Sequence, residues 1–533
     1  SSSSSSSSSS SLKDPTVSIV NVLVNAVDMH PENQNRLSTP FWQRQVLELL
    51  HSAMATHVCV ACLLLSHVTW TNPRNQVLFG TEEVVERMLV LVSQAPPFPR
   101  AVRLSVLAAA NEDAAGGAHT GSTGLHGGAR RMADMNTNSA LTSAQYMLFY
   151  ALMALCNLTY HYKQTQDLVG QLDGVAKLLV PLQMQPQDDD LGMEEGEFLY
   201  EVKQTATFCL GNLVKNNAAN AQMLGRAGGV DTLVDLVNDE DEDELCKKAF
   251  QTLVAMASVS LEHLFASTLS LAMEVRELAC GGAAAAAGAG GAGGRLTSRL
   301  DRLAKVLPIA NGIIYTREGC MQFVLSRVGV APLVRVLQCV PIALFPALSD
   351  SDNSCISPSS VEEATQKAFE IAEYVLHILI NLTMTRTRQV QAQHIDAGLL
   401  PALEQLAALS HSSNPVHREY VLDLRSVQYL VVNNLIINNP PNALAITKCR
   451  TLMMQLCQDA TASITSSPHS SVRESFTSAV ELLVSLCDEC PVMQRQHIFG
   501  GLVPDLDSLF LAVADKASGF SEMLQAKAQQ LTL

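Results

Sequence analysis

The chain has 533 residues, of which 47% are hydrophobic and only 5% aromatic, and its formal net charge at pH 7 is −16. This length exceeds what one compact core holds, so several domains or a repeat array are expected. The acidic balance argues against general nucleic-acid binding, because neutralising phosphates requires a basic surface.

Residues 1–11 are a serine homopolymer, which we predict to be disordered because it has no apolar surface to bury. We predict that residues 12–533 form one solenoid. The sequence shows no signal peptide. It begins without Met, so we expect a piece of a longer protein. Its longest apolar run, residues 58–65, is far shorter than the roughly 20 residues that a membrane-spanning helix needs.

One complete structural unit is readable in residues 203–237, KQTATFCLGNLVKNNAANAQMLGRAGGVDTLVDLV. A long helix is predicted to end near Leu213, followed by a short helix over residues 221–226 and a third helix over residues 230–237. The long helix has apolar or small residues at helical spacing on one face: Ala206, Cys209, Leu210 and Leu213. The glycine pair at 228–229 predicts a sharp turn with one residue at positive φ.

The same unit recurs along the chain. With Asn212 at position zero, Gly229 stands at +17, and Gly174 and Gly398 stand at +17 from their own asparagines. Equivalent frames start at Asn25, His67, Asn157, Gly312, Asn381 and Asn434, with weaker frames at Ala255 and Ser485. Self-similarity at a period of about 40 residues predicts an all-α solenoid of about nine three-helix repeats.

Four insertions interrupt this period, at about 111–140, 183–197, 281–294 and 346–360. Each stands after a third helix and before the next long helix. We therefore predict that one edge of the solenoid carries the loops, as is common near the binding face of repeat proteins.

The pattern ALxNL, then an Asn, then AGGV and LVxLV, resembles the armadillo (ARM) repeat. The unit at 203–237 matches best, and residues 150–182 and 375–406 match well. The resemblance covers most of residues 15–515 and implies a right-handed superhelix. It also implies a protein-binding scaffold that holds a partner segment in its concave groove.

In armadillo proteins the zero-position asparagine bonds the backbone of an extended peptide. The resemblance therefore implies groove residues at five positions: Asn25, Asn157, Asn212, Asn381 and Asn434. Side chains one helical turn earlier share that face, and they include Met153, Phe208 and His377. The alternative is that each asparagine bonds the turn of its own repeat.

Two acid runs flank the unit at 203–237, and both lie in predicted loops. They contain Asp188, Asp189, Asp190, Asp239, Glu240 and Asp241. Such runs are commonly solvated loops that aid solubility. The functional alternative is an acidic rim that steers a basic partner towards Asn212.

No catalytic, metal or cofactor motif stands out. The pairs Cys59/Cys62 and Cys487/Cys490 lack further ligands at zinc spacing, and most cysteines lie on apolar faces typical of buried free thiols. The glycines near 288–293 match a dinucleotide motif in spacing, but no strand precedes them. We therefore expect no enzyme, no cofactor and no metal, in a reducing compartment.

The sequence predicts a non-enzymatic scaffold that binds extended or helical segments of other proteins, some of them basic. One alternative is a permanent structural subunit of a large cytoskeletal or ciliary assembly. A nuclear-import adaptor is disfavoured, because such proteins carry Trp one turn before the asparagine, whereas Trp42 and Trp70 stand elsewhere. The expected location is the cytoplasm, with the nucleus, cilium or cytoskeleton as alternatives.

Overall fold

A computed structural model describes ten stretches of the chain: residues 15–94, 143–185, 193–238, 243–280, 292–317, 319–340, 358–384, 387–408, 415–465 and 470–489. Within these stretches the secondary structure is helical and contains no strand. The chain divides into two compact units, Ser1–Val259 and Ser260–Leu533. The predicted all-α solenoid is confirmed, since each unit is a succession of stacked helices that mostly follow the predicted order of long, short and third helix.

The described residues of the first unit contain four complete triplets of a long, a short and a third helix. The triplets are α1 Pro15–Val27, α2 Pro31–Arg36 and α3 Pro40–Leu50; α4 Ala55–Thr69, α5 Pro73–Phe79 and α6 Glu82–Ser93; α7 Ser143–Thr159, α8 Lys163–Gln171 and α9 Gly174–Leu179; and α10 Met193–Val214, α11 Ala218–Arg226 and α12 Gly229–Val237. A further helix, α13 Asp243–Ala255, follows the fourth triplet.

The second unit begins inside a 24-residue helix and then resumes the triplets. Its helices are α14 Ala257–Cys280; α15 Ala292–Thr316, α16 Cys320–Phe323 and α17 Ala331–Cys339; α18 Pro358–Thr383, α19 Arg388–Asp396 and α20 Leu399–Ala408; α21 Pro415–Ile436, α22 Pro440–Ile446 and α23 Arg450–Thr465; and α24 Ser470–Glu489. A π-helical turn, Val324–Val328, follows α16. No single helix in the described ranges is both long and apolar enough to cross a bilayer, although two bent pairs of consecutive helices pass that test together.

Prolines and capping side chains explain where several short helices, and the third helix α3, begin. Prolines occupy the first turn of α2, α3, α5 and α22, where the missing N–H costs no hydrogen bond. The N-cap side chains of Asn72, Asn217 and Asn439 each accept a hydrogen bond from the backbone N–H three residues later. The same cap therefore starts the short helix at the same point of three repeats.

The core lies between successive long helices. In the first unit α4 packs against α1 and α7, and α10 packs against α7 and α13. The predicted inner face of α10 is fully buried, with Ala206, Cys209, Leu210 and Leu213 all at 0% exposure. Each long helix therefore completes its burial only when the next repeat stacks on it.

The glycine at +17 has two different structural roles. Gly228, one residue earlier, has the positive φ of 79° in its repeat, whereas Gly229 is needed because a Cβ there would lie 2.2 Å from Leu224. In the second unit Gly398 itself has φ 85°. In this repeat the N-cap of the short helix, Thr387, stands six residues after the zero-position asparagine, whereas Asn217 stands five residues after Asn212. The glycines at +17 in the two repeats therefore occupy different structural positions.

Several predicted boundaries differ in the structure. The frame at Ala255 does not continue as a short helix, glycine turn and third helix, because α14 follows at once and runs for 24 residues. Helix α10 begins at Met193, inside the predicted insertion 183–197, and α15 and α18 begin inside the insertions 281–294 and 346–360. Helical propensity extends into the ends of these polar or Gly/Ala-rich segments. The insertion 111–140 and the serine tract lie outside the described residues.

Candidate partner-binding face of the long helices

The zero-position asparagines of the first unit are buried and donate to the preceding repeat. Asn157 is 6% exposed, and its Nδ2 donates to the carbonyl of Ser66 at 2.7 Å. Asn212 is 8% exposed, and its Nδ2 donates to the carbonyl of Cys156 at 3.3 Å. Both acceptors lie in the last turn of the preceding long helix, so each asparagine ties two repeats together.

The physical reason is that the last four carbonyls of an α-helix have no partner within the helix. In α4 all four receive side-chain amides: Ser66 from Asn157, His67 from Gln34 at 3.0 Å, Val68 from Asn75 at 2.7 Å and Thr69 from Gln76 at 3.3 Å. These amides come from three successive repeats. These recurring amides of the first unit are therefore C-terminal caps for its long helices.

The bond within one repeat belongs to the asparagine at +8. Asn220 donates to Leu213 in its own repeat at 3.2 Å and to Gln166 in the preceding repeat at 2.9 Å. Asn442 donates to Leu435 in the same way at 3.0 Å. The alternative prediction, that each zero-position asparagine bonds the turn of its own repeat, is therefore wrong for the side-chain N–H groups of Asn157 and Asn212, which donate to the preceding repeat.

In the second unit the zero-position asparagines donate to side chains of the preceding repeat and not to backbone carbonyls. Asn434, 7% exposed, donates to the hydroxyl of Thr383 at 3.3 Å, and Asn381 donates to Oδ1 of Asn311 at 2.7 Å. Asn25 in the first repeat is exposed. The five predicted asparagines thus fall into two groups, four that connect repeats and one at the surface.

The inter-repeat bonds leave the carboxamide oxygens for other use. Within the described residues, the Oδ1 atoms of Asn157 and Asn212 accept no hydrogen bond and are not sealed from solvent. A bound segment could therefore donate a backbone N–H to these oxygens. Nδ2 of Asn212 contacts both the carbonyl and the Sγ of Cys156, whereas Nδ2 of Asn157 has one acceptor, Ser66, and keeps a second N–H that could donate to a peptide carbonyl.

The predicted residues one turn earlier reach the surface to different degrees. Phe208 is 41% exposed, Met153 and His377 are half-buried, and Leu430 at the equivalent position is 39% exposed. Nε2 of His377 lies 3.5 Å from Glu373. Leu63, the corresponding residue of the second repeat, is fully buried, so this row is accessible in some repeats only.

Phe208 has two neighbours that sequence reasoning did not select. The Tyr160 ring lies 6.5 Å from it at an interplanar angle of 29°, and Nζ of Lys248 stands 5.6 Å from its centroid. Both distances suit stacking and cation–π attraction. We call Tyr160, Phe208 and Lys248 the aromatic–lysine patch. A signal for Tyr160 existed, since +3 from the asparagine is also Tyr in the frame at Gly312 and Trp in the frame at His67.

Thiols lie directly beneath this face. Cys156 and Cys209 are buried, and burial raises the pKa of Cys156 well above its ordinary value and that of Cys209 to about 12. Such thiols remain protonated and unreactive near neutral pH. This confirms the predicted buried free state for both residues.

The predicted acidic rim, Asp188, Asp189, Asp190, Asp239, Glu240 and Asp241, lies outside the described residues. Its role stays a prediction. In the described ranges no group of three or more His, Cys, Asp or Glu side chains is placed to hold a metal ion.

Removing a capping amide should destabilise the stack in proportion to its burial. Asn75 is 0% exposed and serves Val68 and Gln34, while its oxygen accepts from Ser38. We expect Asn75→Ala to cost about 1–3 kcal/mol, because buried carbonyls lose their donor. Denaturant unfolding followed by Trp42 and Trp70 fluorescence would measure this cost.

The first repeat provides the matched control. Asn33 occupies the same +8 position, but its single bond, to Ala26 at 2.6 Å, is open to solvent. Water can replace that donor, so we expect Asn33→Ala to cost about 0.5 kcal/mol. Equal costs for the two variants would show that amide capping does not stabilise the stack.

Protein-family models give no match to the chain, and no curated protein matches it in sequence. Solved structures that align with it include an engineered protein, 14% identical, over 97% of this chain and 93% of its own, with a TM-score of 0.37. A designed armadillo repeat protein in complex with peptide (KR)4 aligns at 14% identity over 72% of this chain and 98% of its own, with a TM-score of 0.27. Computationally designed armadillo repeat proteins for modular peptide recognition give the same values.

At TM-scores this low the likeness carries no argument about function. The fold class rests on the helix order of the chain itself and on the stacking of its long helices. The candidate site rests on the geometry of the asparagines and of the aromatic–lysine patch.

Proposed function

We propose that the protein is a non-enzymatic scaffold that binds a segment of another protein along the exposed face of its long helices. The observation that supports this best is the aromatic–lysine patch, where Phe208 is 41% exposed beside Tyr160 at 39%. Large aromatic rings that stay accessible on a stacked face are typical of binding hot spots. The free oxygen of Asn212, four residues after Phe208, supplies an acceptor for a backbone N–H.

In this proposal the bound segment presents an apolar or aromatic side chain to Tyr160 and Phe208. Lys248 already lies over the Phe208 ring, so an acidic group next to that side chain would gain a charged partner. Steering of a basic partner by the acid runs remains a separate prediction for the loops. Assembly into a permanent cytoskeletal or ciliary structure, and location in the cytoplasm, likewise remain open proposals.

The test should avoid the asparagines, because their amides tie the repeats together and an Ala variant would lose stability as well as binding. Phe208→Ala removes an exposed ring instead. Peptides selected by display on the intact protein would be measured against wild type and variants by calorimetry. We expect Phe208→Ala to weaken the selected peptides by about 10-fold or more, the effect of losing a hot-spot contact worth at least 1.4 kcal/mol.

Phe41→Ala is the matched control, since Phe41 is 60% exposed on α3, away from the patch. We expect it to bind the same peptides as tightly as the wild type. The proposal fails if no peptide is selected, or if the two Phe variants bind equally well.

A further inference from the structure

The zero-position asparagines give the long helices of both units a common register. In the first unit Asn212 donates to the carbonyl of Cys156. In the second unit Asn381 donates to Oδ1 of Asn311. Each acceptor stands one residue before the zero position of the preceding frame. In the first unit this register sets the +3 residue of one repeat beside the −4 residue of the next, as in the aromatic–lysine patch.

The next step of the second unit keeps this register through a relay. Asn434 donates to the hydroxyl of Thr383 at 3.3 Å, and that hydroxyl donates to the carbonyl of Ile380 at 3.0 Å. Ile380 again stands one residue before the zero position of its frame. The +3 and −4 residues of α15, α18 and α21 are therefore paired across the stack in the order seen in the first unit.

Four side chains of the second unit occupy these paired positions and reach the surface. Tyr315, at +3 on α15, is 80% exposed, and His377, at −4 on α18, has 43% of its side chain exposed. Met384, at +3 after α18, is 57% exposed, and Leu430, at −4 on α21, is 39% exposed. We call these four residues the second-unit row.

The row lies within the stack and not at its end, because α18 packs between α15 and α21. Single exposed apolar side chains are common on protein surfaces and need no partner. Apolar side chains that follow one another along a single face are instead typical of an interaction site. The second-unit row is such a face, made by three successive repeats.

Carboxylates accompany the row on α18. Glu373, 44% exposed, stands one turn before His377, and its Oε1 lies 3.5 Å from Nε2 of that histidine. Glu370 is half-buried three residues earlier on the same helix. Burial, and then the charges of Glu370 and Glu373, raise the pKa of Tyr374 above its ordinary value, in keeping with two carboxylates close to that phenol.

The cations close to these carboxylates in the chain do not neutralise them. Lys367, whose side chain is only 21% exposed, is held by Asp301 and Glu363. Lys305 on α15 is exposed, and among the described residues it forms no ion pair with either carboxylate. The row therefore combines apolar side chains with carboxylates that have no Lys or Arg partner in the described part of the chain.

We propose that the second-unit row binds a partner segment in which apolar side chains stand next to a lysine or arginine. The apolar side chains would contact Tyr315, Met384 and Leu430, and the cation would pair with Glu373. Because Lys248 favours an acidic group at the aromatic–lysine patch, the two patches select segments of opposite charge. The inference rests on the proposed scaffold function, since both assume binding along the long helices, but it does not need the aromatic–lysine patch.

The experiment selects random peptides by display on the full chain carrying Phe208→Ala, which disables the aromatic–lysine patch, and measures them by calorimetry. We expect the selected peptides to carry Lys or Arg beside apolar residues. Adding Met384→Ala should weaken them by about 10-fold, as for a lost hot-spot contact. Adding Glu373→Gln should weaken them by about 3-fold and reduce their salt dependence, because one exposed ion pair is lost.

Two substitutions of the same type serve as matched controls. Met454→Ala removes a methionine that is 42% exposed on α23, and Glu83→Gln removes a carboxylate of the first unit whose side chain is 62% exposed. Both should bind the selected peptides unchanged. Circular dichroism should give equal melting temperatures for Met384→Ala and Met454→Ala, since both side chains are exposed.

The proposal is overturned if no peptide is selected, if the selected peptides are acidic, or if the two Met variants bind equally well. Equal weakening by the two Glu variants would also overturn it, because general attraction to the acidic chain would then explain the selection. Dependence on Met384 tests this row alone, whereas the dependence of wild-type peptides on Phe208 tests the aromatic–lysine patch, so the two proposals can fail separately.

Discussion

Replacing Asp459 by alanine is expected to destabilise the second unit by about 3–5 kcal/mol. Asp459 is 6% exposed on α23, and its Oδ1 accepts from Arg425 at 3.0 Å while its Oδ2 accepts from the Tyr429 hydroxyl at 2.6 Å. Both donors come from α21. Burial, and then the Asp459 charge, raise the pKa of Tyr429 well above its ordinary value, so the phenol stays a donor. Loss of the carboxylate removes the ion pair of Arg425 with Asp459 and the acceptor of the Tyr429 hydroxyl.

Tyr429→Phe is the control for this prediction, because it removes one donor and keeps the Arg425–Asp459 pair. We expect it to cost about 1–2 kcal/mol. Both tryptophans lie in the first unit, so hydrogen exchange of residues 415–465, read by mass spectrometry, is the suitable measurement. If Asp459→Ala opened this region no more than Tyr429→Phe, the buried ion pair would not be stabilising α21 against α23.

Leu210→Ala is expected to cost about 2–5 kcal/mol in the first unit. Leu210 is 0% exposed on α10, which packs between α7 and α13. The stacked helices on both sides of α10 are held by their own contacts and collapse only partly around the missing atoms, so a cavity persists. Urea unfolding with circular dichroism, together with hydrogen exchange of α10, would measure the loss.

Leu430→Ala provides the comparison, since Leu430 lies on the accessible row of α21 and is 39% exposed. We expect a cost below about 1 kcal/mol, because little apolar area leaves the core. Similar costs for the two leucines would contradict the assignment of Leu210 to the shared core between repeats.

The repeat period located most of the long helices, because it reflects the burial of a helical face. Helices α7, α10, α18 and α21 end within two residues of their zero-position asparagines. Around Ala255 the period failed. Apolar residues at helical spacing look the same in the first helix of a triplet and in the uninterrupted 24-residue α14.

The candidate site was predicted less completely. Phe208 was selected from its position, and the structure places it at the surface. Tyr160 and Lys248 were missed because they lie 48 residues before and 40 residues after Phe208 in the chain. Tyr160 and Lys248 reach the Phe208 ring only because three repeats stack on one another.

By itself, the sequence determined an all-α solenoid of long, short and third helices, because helical periodicity, caps and glycine turns act over a few residues. The tertiary structure decided what the recurring asparagines do. Their acceptors lie 91 residues away for Asn157 and 56 residues away for Asn212. The last carbonyls of a helix need hydrogen-bond donors from outside that helix. Which side-chain amide supplies the donor depends on the repeat that packs against the helix end.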